Sequence, residues 1–188
     1  YEHLRSFERE HSLPARRHRI EHVQVLHPDD VPRLGALGVV ASMQPLHATS
    51  DMHAADKYWG ARVKHSYAWA SQLQAGAALA FGSDAPVESP NPFLSLHAAV
   101  TRRRADGSPG SEGWLPEQRL TLHQALAAFT QGPAFAAGME ARTGLLSPDY
   151  LADIIVLDQD PFELDPHELK DLRPSATMVG GDWVWSAK

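Results

Sequence analysis

The sequence predicts an α/β protein, on three observations. Short apolar runs alternate with helix-patterned segments over residues 17–104, the arrangement of parallel βα units. Three successive runs each deliver a polar residue at or just past their C-terminal end, His22, His47 and Asp84. In α/β barrels that rim is where ligands bind and chemistry happens. From about residue 140 the pattern changes to short β segments, which predicts a separate β layer.

Composition narrows the function classes. A chain of 188 residues can bury one core, or one core and a small satellite. No apolar run approaches the length that spans a bilayer, so a soluble globular protein without a membrane partner is expected. The net charge is −6 and the only dense basic run is Arg102-Arg103-Arg104, read as the solvated end of a helix. Nucleic acid is thereby excluded as the main partner. With no cysteine and eleven histidines, imidazole and carboxylate are the available metal ligands, and a cytoplasmic location is expected.

Taken in order, the chain opens in a helical pattern, Leu4 and Phe7 three apart among charges, ending near His11-Ser12-Leu13-Pro14. It has no initiating Met and no apolar leader, and reads as the later part of a longer chain. Residues 17–25 read as a strand. Alternation sets His18, Ile20, His22 and Gln24 on one face and Arg19, Glu21, Val23 and Val25 on the other. Polar residues on both faces suit a strand that enters a polar site; Glu21 is assigned to a pair with Arg17 or Arg19. Pro28-Asp29-Asp30 starts a helix through Leu37 that Gly38 stops.

Residues 39–44 form a second buried strand closed by Pro45, and a long loop over 48–63 carries Asp51, His53, Asp56, Tyr58 and Trp59. Loops of that length are often lids or binding loops. A helix over 64–75 leads into the run Ala77–Phe81, which ends on Gly82-Ser83 with Asp84 at its mouth. An acid there costs desolvation unless a cation or hydrogen-bond donors meet it. A helix over 93–104, a Gly/Pro/Ser-rich loop and a capping box at Thr121–Gln124 follow. The Ala-rich helix over 125–137 is broken or kinked at Pro133 and ends at Gly138. The tail reads as strands over 144–146 and 152–157, a helical piece over 166–172, and a hairpin around Gly180-Gly181-Asp182. Asp153, beside a surface strand, is read as structural.

These residues carry a family resemblance. Arg17-His18-Arg19-Ile20-Glu21-His22 with Gln24, Ala41-Ser42-Met43-Gln44-Pro45 with His47, and Phe81-Gly82-Ser83-Asp84-Ala85-Pro86-Val87-Glu88-Ser89-Pro90-Asn91-Pro92 resemble the amidohydrolase superfamily. The closest likeness is to amidohydrolase family 3, in its YtcJ-like branch, which includes N-substituted formamide deformylase. Leu151-Ala152-Asp153-Ile154-Ile155-Val156-Leu157-Asp158 and Val179-Gly180-Gly181 resemble the family's closing β domain. The Gly-Ser-Asp piece alone is a weak signal; the ordered set is a strong one.

The resemblance implies the C-terminal part of a metal-dependent (β/α)₈ TIM barrel, residues 1–139 being strands six to eight with their outer helices. Residues 140–188 would be part of an appended β-sandwich-type domain. It implies His22 as a metal ligand, Asp84 as metal ligand and catalytic proton shuttle, and His47 facing the substrate. One or two divalent ions, zinc first, would serve the complete protein, and metal-activated water would hydrolyse an amide- or formamide-type C–N bond. The family's His-X-His pair, its bridging strand-four ligand and its strand-five His have no counterpart here, and His53 and His65 do not replace them. The chain alone is therefore expected to be inactive and, with strand edges open, to self-associate as a homo-oligomer. The rival readings are an aminohydrolase or deaminase on the same scaffold, and a non-catalytic folding or interaction module. Tyr58, Trp59 and Trp114 hint at an apolar or aromatic acyl group on a small-molecule substrate.

Overall fold

The computed structural model describes residues 2–12 and 16–187. Helix α1 (Glu2–Glu10) comes first and ends at the expected His11-Ser12-Leu13-Pro14 stretch, of which Leu13 and Pro14 lie outside the described residues. Glu8 on α1 is buried and meets His18 at 3.0 Å and Arg16 at 3.8 Å, which ties the helix to the segment entering the sheet.

Strands β1 (Arg19–Glu21), β2 (Val40–Met43) and β3 (Leu79–Phe81) form a parallel sheet in that order, with Ile20 opposite Ala41 and Ser42 opposite Ala80. The chain is thus α/β, as its alternation predicts. The apolar runs explain β2 and β3. Val40, Ala41 and Met43 are at most 1% exposed, and all of β3 is buried. Such near-continuous apolar strands need cover on both faces. β1 is the exception, an exposed edge with Ile20 48% accessible. It is also shorter than the expected 17–25 run. His22 and Val23 take φ of 69° and 43°, so the pleat stops at Glu21 and the two-face alternation ends with it.

The expected helix over 28–37 is divided into a 3₁₀ turn (Pro28–Asp30) and helix α2 (Arg33–Leu37), with Gly38 in the left-handed cap its sequence calls for. The expected loop over 48–63 is instead helix α3 (Pro45–Tyr58) followed by a 3₁₀ turn (Gly60–His65). Pro45 opens α3 rather than ending β2 alone: at the first helical position its missing N–H leaves no bond unmade. Ala48, Met52 and Ala55 then form a fully buried stripe at helical spacing. Helix α4 (Trp69–Gln74) replaces the longer helix expected over 64–75.

Helix α5 (Pro92–Thr101) is capped by the Asn91 side chain, which accepts from Phe93 N, and it ends at Arg102 with φ 58°. Arg102 corrects the reading of the arginine triplet, since it is fully buried rather than solvated. Its guanidinium lies 4.2 Å from the Trp69 ring centre and 5.0 Å from that of Trp114, and donates to Trp114 O at 2.7 Å and Tyr67 O at 3.0 Å. Burial lowers its pKa to about 9. Two aromatic faces offset part of the cost of burying that charge.

The capping box at Thr121 and Gln124 forms as read and starts α6 (Leu122–Phe129). The helix breaks at Thr130, not at Pro133, which sits in the first turn of α7 (Gln131–Ala136) where its missing N–H is harmless. α7 seats its Gly132 directly on β3: a Cβ there would lie 2.0 Å from Leu79 O. The tail is one antiparallel sheet, β4 (Ile154–Leu157), β5 (Pro174–Val179) and β6 (Asp182–Ser186), with the Gly180-Gly181 hairpin as read. Asp153 accepts from Gly180 N at 2.8 Å, the structural use expected of it. No strand forms at 144–146, where Gly144 takes φ 91° and turns follow. The tail joins the main core through a 3₁₀ turn (Leu169–Asp171), whose Leu169 is buried together with Leu172.

Two expectations follow from this packing. Gly132→Ala forces backbone against backbone and should lower unfolding stability by about 1–3 kcal/mol in urea titrations; an unchanged midpoint would mean α7 stands off from β3. His97, on α5, is 3% exposed and faces His167, Arg103, Lys170 and Asp171. Burial first, then the neighbouring positive charges, pushes its pKa from 6.5 down to about 4. The unfolded chain therefore takes up this proton first as pH falls. The ring's contribution is complete above pH 6.5 and is lost between 6.5 and 4, up to roughly 3 kcal/mol. Denaturation at pH 7.5 and 4.5 should show a smaller pH-dependent loss in His97→Gln than in wild type.

Candidate functional site

Because β1, β2 and β3 are parallel, their C-terminal ends lie on one side of the sheet. Each end delivers a polar side chain by a different local device. After β1 the chain turns left-handed at His22, whose N–H donates to Ser42 O at 2.7 Å and so stays fastened to β2. After β2, extended Gln44 leads into α3 and places His47 in its first turn. After β3, Gly82 N donates to Met43 O at 3.2 Å and Asp84 takes φ 58°. Asp and His tolerate the left-handed region better than most side chains, but Val23 beside them is a β-branched outlier. Strain of this kind collects where a site is being shaped.

The structure brings His22, His47 and Asp84 together. One ligand atom from each lies within 4.8 Å of the others, and among the described residues this is the one His/Asp/Glu group so arranged. The His22 and His47 rings stack at 5.5 Å, and His47 Nε2 lies 3.6 Å from Asp84 Oδ2. Gln44 Oε1 is 2.9 Å from His22 Nδ1. An amide oxygen only accepts, so Nδ1 carries the ring proton and Nε2 offers its lone pair.

The cluster has a closed side and an open side. His47 is 8% exposed and its Nε2 is buried without a hydrogen-bond partner. The Asp84 side chain is 39% exposed. The expectation of a desolvated acid at the strand mouth is thereby corrected: the unmet demand sits on the imidazole. A buried polar nitrogen without a partner is uncommon and calls for one. Two imidazoles and a carboxylate, one imidazole without a hydrogen bond at Nε2 and another held in a fixed tautomer, form a donor set that fits a divalent cation.

Other candidates fall outside the cluster. Glu21 is bound by Arg19 Nε at 2.5 Å. His53 and His65 belong to no ligating group among the described residues. Trp59 stacks on Tyr67, Trp114 donates to Asp56 and Tyr58 is exposed. Sequence reasoning missed Gln44 as the partner of His22. It also missed Asp51, four residues after His47, because the helical spacing is invisible once 48–63 is taken for a loop.

The profile of the Amidohydrolase family matches residues 2–185. Protein LONG AFTER FAR-RED 3 of Arabidopsis thaliana is 39% identical over 174 residues, covering 90% of this chain and 29% of that protein. Putative amidohydrolase YtcJ of Bacillus subtilis (strain 168) is 30% identical over 183 residues, covering 97% of this chain and 34% of that protein. Among solved structures, an uncharacterized metal-dependent hydrolase from Pyrococcus horikoshii superposes with a TM-score of 0.71 at 29% identity, over 86% of this chain and 32% of that one. The chain thus spans about a third of the length of the curated relatives it matches. Matched over residues 2–185, the chain belongs to the amidohydrolase family.

Proposed function

We propose that this chain is the C-terminal portion of a metal-dependent hydrolase of amide- or formamide-type C–N bonds. Residues 1–139 would supply the last βα units of its barrel and 140–188 part of its β domain. The observation that carries the reading is the convergence of His22, His47 and Asp84 at the C-terminal ends of three parallel strands. The family assignment and the hydrolase neighbours support it.

His22 Nε2 and an Asp84 oxygen would hold the cation, zinc being the ion that best suits nitrogen and oxygen donors without thiolate. When bound, such an ion acts as a Lewis acid and lowers the pKa of water to about 7. Asp84, on the open side, takes a proton from the attacking water and returns it to the leaving nitrogen, a general-base and then general-acid role. His47 Nε2, on the closed side, has two uses that the same geometry allows. Protonated, it donates to the substrate carbonyl oxygen as charge builds there, an interaction worth about 2.7–4 kcal/mol in comparable donors. Unprotonated, it would be a third donor to the cation. Hydrolysis itself is assigned to a longer chain carrying the upstream strands.

Calorimetric titration with Zn²⁺ should show one ion per chain, with affinity falling more than about tenfold in His22→Ala and in Asp84→Asn. Identical isotherms for wild type and the double variant would overturn the reading. In the same titration His47→Ala weakens binding if the ring is a ligand and leaves it unchanged if the ring serves the substrate.

Gln44→Leu removes the acceptor that fixes the His22 tautomer and should cost about tenfold in Zn²⁺ affinity. Gln44→Glu, which keeps an acceptor, should restore most of it.

A further inference from the structure

We propose that Tyr67, acting through Asp51 and Gln24, is a positioning residue that sets the spacing of the two histidine-bearing segments; the proposal rests on the metal-site reading above. α3 carries His47 in its first turn and Asp51 one turn later, four residues on, where helical side chains share a face. The segment after β1 carries His22 and, two residues later, Gln24. The Tyr67 hydroxyl joins the two: it donates to Asp51 Oδ2 and accepts from Gln24 Nε2 at 2.9 Å. Gln24 Nε2 also lies 3.4 Å from Asp51 Oδ2, closing the triangle. Between α3 and residues 22–26, the Gln24–Asp51–Tyr67 triangle supplies the side-chain hydrogen bonds, and Gln44 adds one from the cap of α3.

Tyr67 is itself fixed from behind. Its N–H donates to Gln24 O at 2.9 Å, and the neighbouring Ser66 bridges Val25, so its backbone travels with the His22 segment. It is 1% exposed with φ 48°, a conformation disfavoured for a bulky side chain. Arg102 holds it there by donating to Tyr67 O, and that guanidinium is in turn sandwiched by Trp69 and Trp114. The rings of Trp59 and Trp114 pack on the Tyr67 ring at 6.1 and 6.0 Å. A buried cation with no carboxylate bonded to it among the described residues is thus used to hold a strained backbone. That backbone aims one hydroxyl at the pair of segments presenting His22 and His47. Burial first, and the Asp51 charge with its hydrogen bond next, raise the Tyr67 pKa, so the hydroxyl stays a donor at neutral pH.

Placement errors of about 1 Å matter at a site of this kind, and outer contacts that orient ligands are worth about tenfold or more in affinity. The test uses the 188-residue chain with Co²⁺, reading affinity and the visible absorption of the bound ion. Tyr67→Phe removes one oxygen. It should weaken Co²⁺ binding about tenfold and change the spectrum. Asp51→Ala should do the same, the double variant should be no worse than either single one, and Asp51→Asn, which keeps an acceptor oxygen, should recover most of the binding. A wild-type affinity and spectrum in Tyr67→Phe overturns the proposal, even if the melting temperature falls, since Tyr67 would then be structural only. If Tyr67→Phe does not fold, Asp51→Ala on the partly exposed side of α3 carries the same test. If wild type and His22→Ala bind Co²⁺ alike, the metal reading fails. The spacing proposal is then decided on the metal-free chain by the side-chain ¹⁵N signals of His22 and His47. These should shift or broaden in Tyr67→Phe; unchanged signals overturn it.

Discussion

The parallel register of β1, β2 and β3 is the constraint on which the rest depends. Parallel pairing sends every strand out of the sheet in one direction, so three separate strand ends must share one rim. Antiparallel pairing of the same runs would have placed His22 and the residues after β2 at opposite ends. The register also explains the helices: each return crossing must run over a sheet face, and α2 and α4 pack against β2 while α4, α6 and α7 pack against β3. Fold and cluster are therefore one consequence of the same pairing, not two coincident features.

Several strained backbone positions lie at that rim or are linked to it by hydrogen bonds. His22, Val23, Tyr67, Asp84 and Arg102 all adopt left-handed φ. Each costs on the order of 1–2 kcal/mol relative to ordinary backbone. The compensation is visible in three of them. His22 N–H is bonded to Ser42 O; Tyr67 is held at its amide by Gln24 and at its carbonyl by Arg102; Arg102 O accepts from Trp114 N–H while its Nε donates to Trp114 O. Val23 is buried in the core, which supplies apolar burial in exchange. At the opposite end of the sheet glycines take the turns before β2 and β3, Gly38 with φ 66° and Gly76 with φ 82°.

What was legible in the sequence was local. The apolar runs of β2 and β3, the Thr121–Gln124 box and the Gly180-Gly181 hairpin depend on residues adjacent in the chain, and all form as read. Failures occurred where one residue type serves two purposes. Pro45 ends a strand and starts a helix, and choosing only the first turned α3 into a loop. Arg102 sits in a basic triplet, and the pattern cannot tell which of three arginines turns inward; the decision is made by Trp69 and Trp114, distant in sequence. The site divides in the same way. His22, His47 and Asp84 could be found from strand ends, whereas Gln44, Asp51 and Tyr67 act through contacts between segments that no spacing rule connects.

The asymmetry of the cluster bears on what chemistry it can perform. A group that shuttles protons must exchange with solvent or with a leaving group, and Asp84, partly exposed, can do so. A group that fixes charge works best where water is excluded, because the local dielectric is lower and the interaction correspondingly larger. His47 is in that position, buried with a nitrogen to spare. Had the burial been reversed, a buried carboxylate would drift towards its neutral form and lose its value as a base at low pH, while an exposed imidazole would be satisfied by water. In the proposed mechanism the carboxylate then carries the movable proton and the ring makes the fixed contact. That division depends on His47 remaining closed off, which is a property of α3 and its buried Ala48–Met52–Ala55 stripe rather than of the rim itself.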